Sequence, residues 1–357
     1  MKPAKTNNGR VRLALIGVGG EAFVRHIRII QSNPDFELVG VVDCREEAIE
    51  RVKKHFSGRT AVADRLGGID WLSGVDAVVI STSLKSHYPL VREALEAGLH
   101  VLCEKPFVET VAQGEELVEL AAAKGRSLAI MHNWLFAGAV NKMRRDLKAG
   151  CYGRLHALSL HLLNNPRRPV PAWHHELLQG QIYDESPHCL YLLREFAPGK
   201  LVFKNRTIVR GLAEKGNTPG MLSADFVAVN ETGAEIPVHT YFNFDSPVCE
   251  WRLVLLGEKA MGTVDMFRNI YTLTGNDGSH GALSLVLSAG GFFLQHWMQH
   301  VALGWNYVTG RWHLGHDRVF ARFADHLLRG TPLTGISGAD ALEVLRLQHA
   351  MLGAHQQ

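Results

Sequence analysis

Cysteine is scarce and scattered in this chain. The five thiols, Cys44, Cys103, Cys151, Cys189 and Cys249, are odd in number and form no CxxC pair. That argues against a disulfide framework and against a structural zinc site. An excess of charge is also lacking: 38 Lys and Arg stand against 35 Asp and Glu, a net charge of +3. So weak a balance points to neither nucleic acid nor an anionic membrane as a partner. Long apolar runs are missing too. The most apolar long segment, Gly281 to Leu294, is interrupted by glycines and serines and falls short of the roughly 20 residues that cross a bilayer. The opening residues, MKPAKTNNGR, hold no apolar stretch of the kind that begins a secretory signal. There is no internal repeat and no low-complexity tract. These absences lead to the expectation of a reduced, cytoplasmic, globular protein.

What is present begins with size: 357 residues, 46% hydrophobic and 20% charged, enough for two domains. In the first part strands and helices alternate. Arg10 to Ile16 reads as a strand, Glu21 to about Ser32 as a helix, and Phe36 to Val42 as a strand closed by Asp43. Arg45 to Phe56 reads as a helix and VDAVVI, from Val75 to Ile80, as a strand buried on both faces. A helix capped by Ser86 and ended by Gly98, a strand from His100, a helix from Thr110 and a strand from Ser127 to Met131 complete the series. Such alternation predicts a doubly wound parallel sheet over residues 1–132. Residues 133–357 read differently. Strand candidates Arg154–Leu162, Leu201–Val209, Leu222–Val229, Ile236–Phe244, Trp251–Leu256 and Gly262–Phe267 follow one another with turn residues between them. They predict an α+β domain with a large, mostly antiparallel open sheet. The fold class is therefore α/β, a Rossmann domain followed by that second domain.

Between the first strand and the first helix lies Gly17-Val18-Gly19-Gly20, continuing to Ala22. Gly17 permits a tight turn, Gly19 lets the backbone approach a pyrophosphate, and Ala22 is small enough for helix–strand packing. The helix start offers free N–H groups and a positive dipole end to phosphates. Asp43 ends the second strand, 26 residues after Gly17, where it can accept hydrogen bonds from ribose hydroxyls. It would repel a 2′-phosphate, which favours NAD over NADP, and Arg45 partly offsets that preference. Further on, HVLCEKPF runs from His100 to Phe107, and an apolar strand ends abruptly in Glu104-Lys105-Pro106. Carboxyl ends of parallel strands face the ligand crevice. Lys105 is thus a candidate for chemistry, or one half of a surface Glu-Lys pair. Pro106 stops the strand and biases Lys105 towards an extended backbone.

In the second part, Asp184 and His188 are four residues apart. With Ser186 as helix cap and Pro187 at the first helical position, Asp184 falls just before the helix and near His188. A His beside a carboxylate at a helix start serves as a general base, or packs and caps. Arg167 and Arg168 lie in a proline-rich loop, NNPRRPVPAW, able to grip a carboxylate or phosphate or to form a solvated surface or subunit contact. Trp173 offers an apolar platform for a sugar ring, or ordinary packing. His174-His175-Glu176 and the pair His296/His300 have metal-like spacing, but neither completes a ligand set, and no metal is expected.

Taken with Asp43 and the glycine loop, the stretch STSLKSHYPLVREALEAGLHVLCEKPF, from Ser81 to Phe107, resembles the Gfo/Idh/MocA oxidoreductases. Asp184-Glu185-Ser186-Pro187-His188 is similar to the family's D-x-G-x-H, Gly257 to Thr263 to a strand turn of its second domain, and Phe320 to Gly353 to its terminal helix pattern. Four departures stand out. Ser186 replaces the motif glycine, and Gly180-Gln181 replaces a glycine pair. Asn133-Trp134-Leu135-Phe136 lacks an arginine, and Leu84 and Lys85 replace the usual Pro-Asn before His87.

The resemblance implies an NAD(P)-dependent dehydrogenase or reductase acting on a secondary hydroxyl or ketone of a sugar, cyclitol or related polyol. Ser81, Thr82, His87 and Glu104 join the cofactor site, and Lys105, Arg168, Trp173 and His188 meet the substrate. His188, oriented by Asp184, takes the hydroxyl proton while Lys105 hydrogen-bonds the reacting oxygen. The resemblance also implies a homodimer or homotetramer through the second-domain sheet. Two rival readings are an enzyme that recycles its NAD to enable elimination or glycosidic cleavage, and a non-catalytic NAD- or sugar-binding regulator.

Overall fold

Gly17 and Ser81 close two neighbouring strands of a six-stranded parallel sheet, and the first half of the molecule is built around that junction. The computed structural model describes residues 9–20, 22–58, 60–211, 216–275, 281–309 and 314–353. The expectation for the first eight residues, the helix-start position Glu21 and the side chain of Ala22 lies outside the described residues.

In chain order the first unit contains β1 (Val11–Ile16), α1 (Ile27–Ser32), β2 (Phe36–Val42), α2 (Glu46–Phe56), β3 (Ala61–Ala63), β4 (Ala77–Ile80), α3 (Leu84–Glu96), β5 (His100–Cys103), α4 (Val111–Ala123) and β6 (Leu128–Ile130). The strands lie in the order β3-β2-β1-β4-β5-β6, every pair parallel. The order reverses between β1 and β4, the switch point at which open α/β sheets bind ligands. β4 and β5 are buried at every position, as strands covered by helices on both faces must be. Each fully buried Val or Leu there contributes about 1.5–3 kcal/mol. A five-residue π turn, Ala22–His26, leads into α1. α3 starts at Leu84 with Ser83 as cap residue, a turn before the expected Ser86. The Ser86 hydroxyl instead donates to the Ser83 carbonyl at 2.7 Å. The expected start at Thr110 holds, with a reciprocal capping box to Gln113.

The second unit contains α5 (Gly138–Lys148), β7 (Leu155–Leu163), α6 (Gln181–Phe196), β8 (Lys200–Val209), β9 (Met221–Val229), β10 (Glu235–Asn243), β11 (Glu250–Gly257), β12 (Ala260–Asp265), β13 (Ile270–Gly275) and α7 (Ala282–Val308). Its seven strands lie in the order β13-β12-β11-β7-β10-β9-β8. All pairs are antiparallel except β7 with β10, which run parallel. Strict alternation buries Leu222, Ala224, Phe226 and Ala228 of β9 on one face, the period of a sheet covered on one side.

The first unit takes in the chain up to Asn133 and a later segment that returns to it. Residues His316–Arg346 pack with the first unit, whereas Trp134–Gly315 and the residues from Leu347 onward form the second. The returning segment holds α8 (His316–Arg329) and the start of α9 (Gly338–Leu352). Ala341, Leu342 and Leu345 join the core beside α4, where Gly114 leaves just enough space for the Leu342 and Leu345 methyls. Among the described residues no helix is long and apolar enough to cross a membrane.

Candidate active site

The glycine loop begins where β1 ends. Gly17 has φ +83°, and a Cβ there would stand 2.5 Å from the Ser81 carbonyl oxygen and 2.6 Å from the Thr82 methyl. Only glycine lets the two strand ends approach this closely. By contrast, a Cβ on Gly19 or Gly20 would meet nothing within 4 Å, so the loop backbone is open on its outer side. The Thr82 hydroxyl beside it is buried with no hydrogen-bond partner. An exposed loop backbone and an unused hydroxyl fit a bound phosphate-bearing cofactor.

Asp43 is buried at the end of β2. One carboxylate oxygen accepts the Val18 N–H at 2.8 Å and the Arg45 Nη2 at 2.7 Å; the other accepts the Arg45 N–H at 3.0 Å and Nε at 2.9 Å. Burial raises its pKa, but these bonds, the Arg45 side chain foremost, outweigh burial and hold it below the ordinary value. Arg45 is 58% exposed and can leave Asp43 for an incoming ribose. The structure adds Arg51, whose guanidinium bonds the Val18 carbonyl and lies 4.3 Å over the Phe23 ring, closing the loop from its other side.

Glu104 and Lys105 follow β5, and the Lys105–Pro106 bond is cis. The Glu104 carboxylate receives the Lys105 backbone N–H at 3.2 Å on one oxygen and lies 3.0 Å from His26 Nε2 on the other. Burial raises its pKa, but the His26 bond, with the charges of His26, His316 and Lys105, brings it down to about 2. Donor atoms of His26, Glu104 and His316 lie within 4.8 Å of one another. Arg25 stands 3.4 Å from both ring nitrogens of His316. That added cation repels a metal ion, and we read the group as a clamp on an ionised Glu104 that fixes the backbone of Lys105. His87 is 1% exposed. Its Nδ1 is 2.8 Å from the Pro106 carbonyl and its Nε2 3.2 Å from the Thr82 carbonyl, and burial lowers its pKa. It stands between the ends of β4 and β5, and in the neutral form its single N–H donates to one of these two carbonyls.

The expected acid–base pair lies on the second unit. α6 starts at Gln181, not at Pro187, with Gly180 (φ +56°) as its cap residue and Pro187 inside it. Asp184 is therefore in the first helical turn rather than ahead of the helix. All residues of α6 except Arg194 and Glu195 are buried, so its polar side chains need partners. His188 Nδ1 is 2.7 Å from the Tyr191 hydroxyl. Its ring packs at 5.4 Å from Trp251 and 6.5 Å from Trp134. Asp184 lies 3.9 Å from His174 Nε2. Arg168 donates to Glu185 at 2.9 Å, which compensates a buried carboxylate. The Trp173 ring meets His174 edge-on at 4.0 Å. Asn164 is 1% exposed; its carbonyl faces Trp251 Nε1 at 3.4 Å, and its Nδ2 has no partner.

The sequence reading missed His26, Tyr191, Trp251 and Asn164. Tyr191 was within reach, because helical spacing puts it one turn after His188. The others come from elements distant in the chain.

Residues 11–132 match the family model described as GFO_IDH_MocA, oxidoreductase family, NAD-binding Rossmann fold. This match covers the first domain, about a third of the chain. The D-glucoside 3-dehydrogenase of Escherichia coli K12 is 31% identical over 48% of this chain and 48% of its own length. Inositol 2-dehydrogenase 4 of Saccharopolyspora erythraea is 31% identical over 51% of this chain and 52% of its own. The chain spans about half the length of these curated relatives. The WlbA dehydrogenase of Bordetella pertussis, solved with NADH and UDP-GlcNAcA, superposes with a TM-score of 0.75 over 97% of this chain and 95% of its own, at 17% identity. That likeness is one of fold, and it extends over nearly the whole chain.

Proposed function

We propose that the protein is an NAD-dependent dehydrogenase acting on a secondary hydroxyl of a sugar, cyclitol or related polyol. The observation that carries this reading is Lys105. A cation is delivered at the carboxyl end of β5, with its backbone held by an ionised Glu104, in the sheet that carries an NAD-type glycine loop. Lys105 hydrogen-bonds the reacting oxygen and stabilises the negative charge that develops there. On α6, His188 accepts the hydroxyl proton at Nε2, with the Tyr191 hydroxyl fixing Nδ1, and Asp184 supports the same helix face. Trp134 and Trp251, both buried, form the apolar wall against which the His188 ring packs. The unpartnered Asn164 amide and Arg168 supply donors for hydroxyl or carboxylate groups of the substrate. Bound NAD supplies the hydride chemistry. The sugar and inositol dehydrogenases among its relatives point to the same substrate class.

The test is NADH formation from NAD across a panel of sugars, sugar acids and cyclitols, beside a Lys105→Ala variant. One substrate should give signal. The variant should lose roughly a hundredfold or more in kcat with NAD affinity unchanged. Equal turnover by the variant would remove Lys105 from the chemistry.

A further inference from the structure

α7 runs for 27 residues without one charged side chain, and none of its residues is buried. Thirteen of its large apolar side chains, from Leu283 to Val308, are 48–80% exposed. At roughly 100 Å² apiece they present on the order of 1,000 Å² of apolar surface. A monomer's largest patch is about 300–600 Å², and a stable dimer needs about 800 Å² per partner. One side of α7 is already occupied. Gln299 bonds the N–H and carbonyl of Tyr271, and Gln295 those of Leu273. Two glutamine side chains thus pair with the free edge of β13 as another strand would.

The residues facing away from that edge form a single stripe at helical spacing: Val286, Gly290, Phe293, Trp297, Val301, Gly304 and Val308. The stripe is a palindrome about Trp297 in position, and in residue type at its glycine and outer valine pairs. Gly290 and Gly304 lie seven residues to either side, Phe293 and Val301 four, Val286 and Val308 eleven. A Cβ on either glycine would meet nothing within 4 Å, so both are open hollows. A two-fold interface must be self-complementary, and this pattern is.

We propose that α7 is the homodimer contact. Two copies cross antiparallel about an axis at Trp297, so that Gly290 packs on Gly304 of the partner subunit and Phe293 beside Val301 of the partner subunit. The open face of the sheet, which carries Asp225, His239 and Arg252, is a separate surface from this stripe. A membrane surface is disfavoured as well, since helices that lie on lipid carry Lys or Arg on the polar face.

Sedimentation and light scattering of the full chain should give a dimer. Trp297→Asp sets two charges against each other at the axis and should raise the dimer Kd at least a hundredfold, with NAD affinity and circular dichroism unchanged. Under mild oxidation, Trp297→Cys should cross-link to itself in high yield. Val308→Cys should stay at the background of the native thiols, and should cross-link only when mixed with Val286→Cys. The cross-linking arm stands even if the Asp variant fails to fold. A monomeric wild type, a dimer unmoved by Trp297→Asp, equal cross-linking at residues 297 and 308, or monomers that sediment with phosphatidylcholine vesicles would each overturn the proposal.

Discussion

At Glu104 burial and hydrogen bonding oppose one another, and hydrogen bonding wins. Its folded pKa is about 2, against an ordinary 4.5. A carboxyl depressed in the folded state stabilises the fold above its unfolded pKa and loses that contribution as pH falls to the folded value. The window therefore runs from about pH 4.5 down to about pH 2, and the shift corresponds to roughly 3 kcal/mol. Denaturant unfolding at stepped pH should show the wild type losing stability across this window, while Glu104→Gln gives a flatter curve by about that amount. Parallel curves would mean that His26 does not stabilise the ionised form. Asp43 makes a second case. It spends its oxygens on Val18 and Arg45, so Asp43→Ala both removes the repulsion of a 2′-phosphate and frees Arg45 to bind one. Titration with both cofactors should show the NAD-to-NADP affinity ratio falling by about tenfold, or about 1.4 kcal/mol. A ratio that stays put would mean that Asp43 faces away from the ribose.

At the scale of elements, α6 shows how far local sequence rules reach. Pro187 fits best at the start of a helix, and on that rule the helix begins there. The chain overrides it with a distant residue. Pro187 has no N–H to give the Tyr183 carbonyl one turn earlier. Gln348 on α9, 1% exposed, donates to that carbonyl at 2.6 Å and to the Ser186 hydroxyl at 3.0 Å. The replacement bond keeps the turn bearing Asp184 helical. Gln348→Leu should lower the unfolding free energy by about 1–3 kcal/mol, the cost of an unsatisfied buried carbonyl. It should also reduce kcat through displacement of Asp184 and His188, with NAD affinity unchanged. Unaltered stability would show that another donor serves Tyr183. The parallel strands, the glycine loop and the Thr110 cap were all legible, because periodicity and short-range rules decide them. β3 and β13 were not. β3 has three residues and no fully buried position, and β13 follows β12 too closely to stand apart in the pattern.

The whole molecule depends on pairings that no local pattern carries. The return of His316–Arg346 to the first unit is one. The exposure of α7 is another: its composition reads like a core segment, and only its place beyond an edge strand shows that it has no cover among the described residues. The sequence did rule out a bilayer span there, but it could not separate a buried helix from an interface helix, since both want the same side chains. A dimer through α7 has a thermodynamic signature that a monomer lacks. If association stabilises the folded state, Tm must rise with protein concentration. Across a hundredfold dilution series the gain is roughly 2.7 kcal/mol per dimer, a shift of several degrees for a chain of this size. Differential scanning calorimetry of the wild type should show that rise, and Trp297→Asp should melt at one temperature throughout. A wild type whose Tm ignores concentration, within the range where light scattering shows a dimer, would mean that the exposed apolar helix contributes nothing to the folded state.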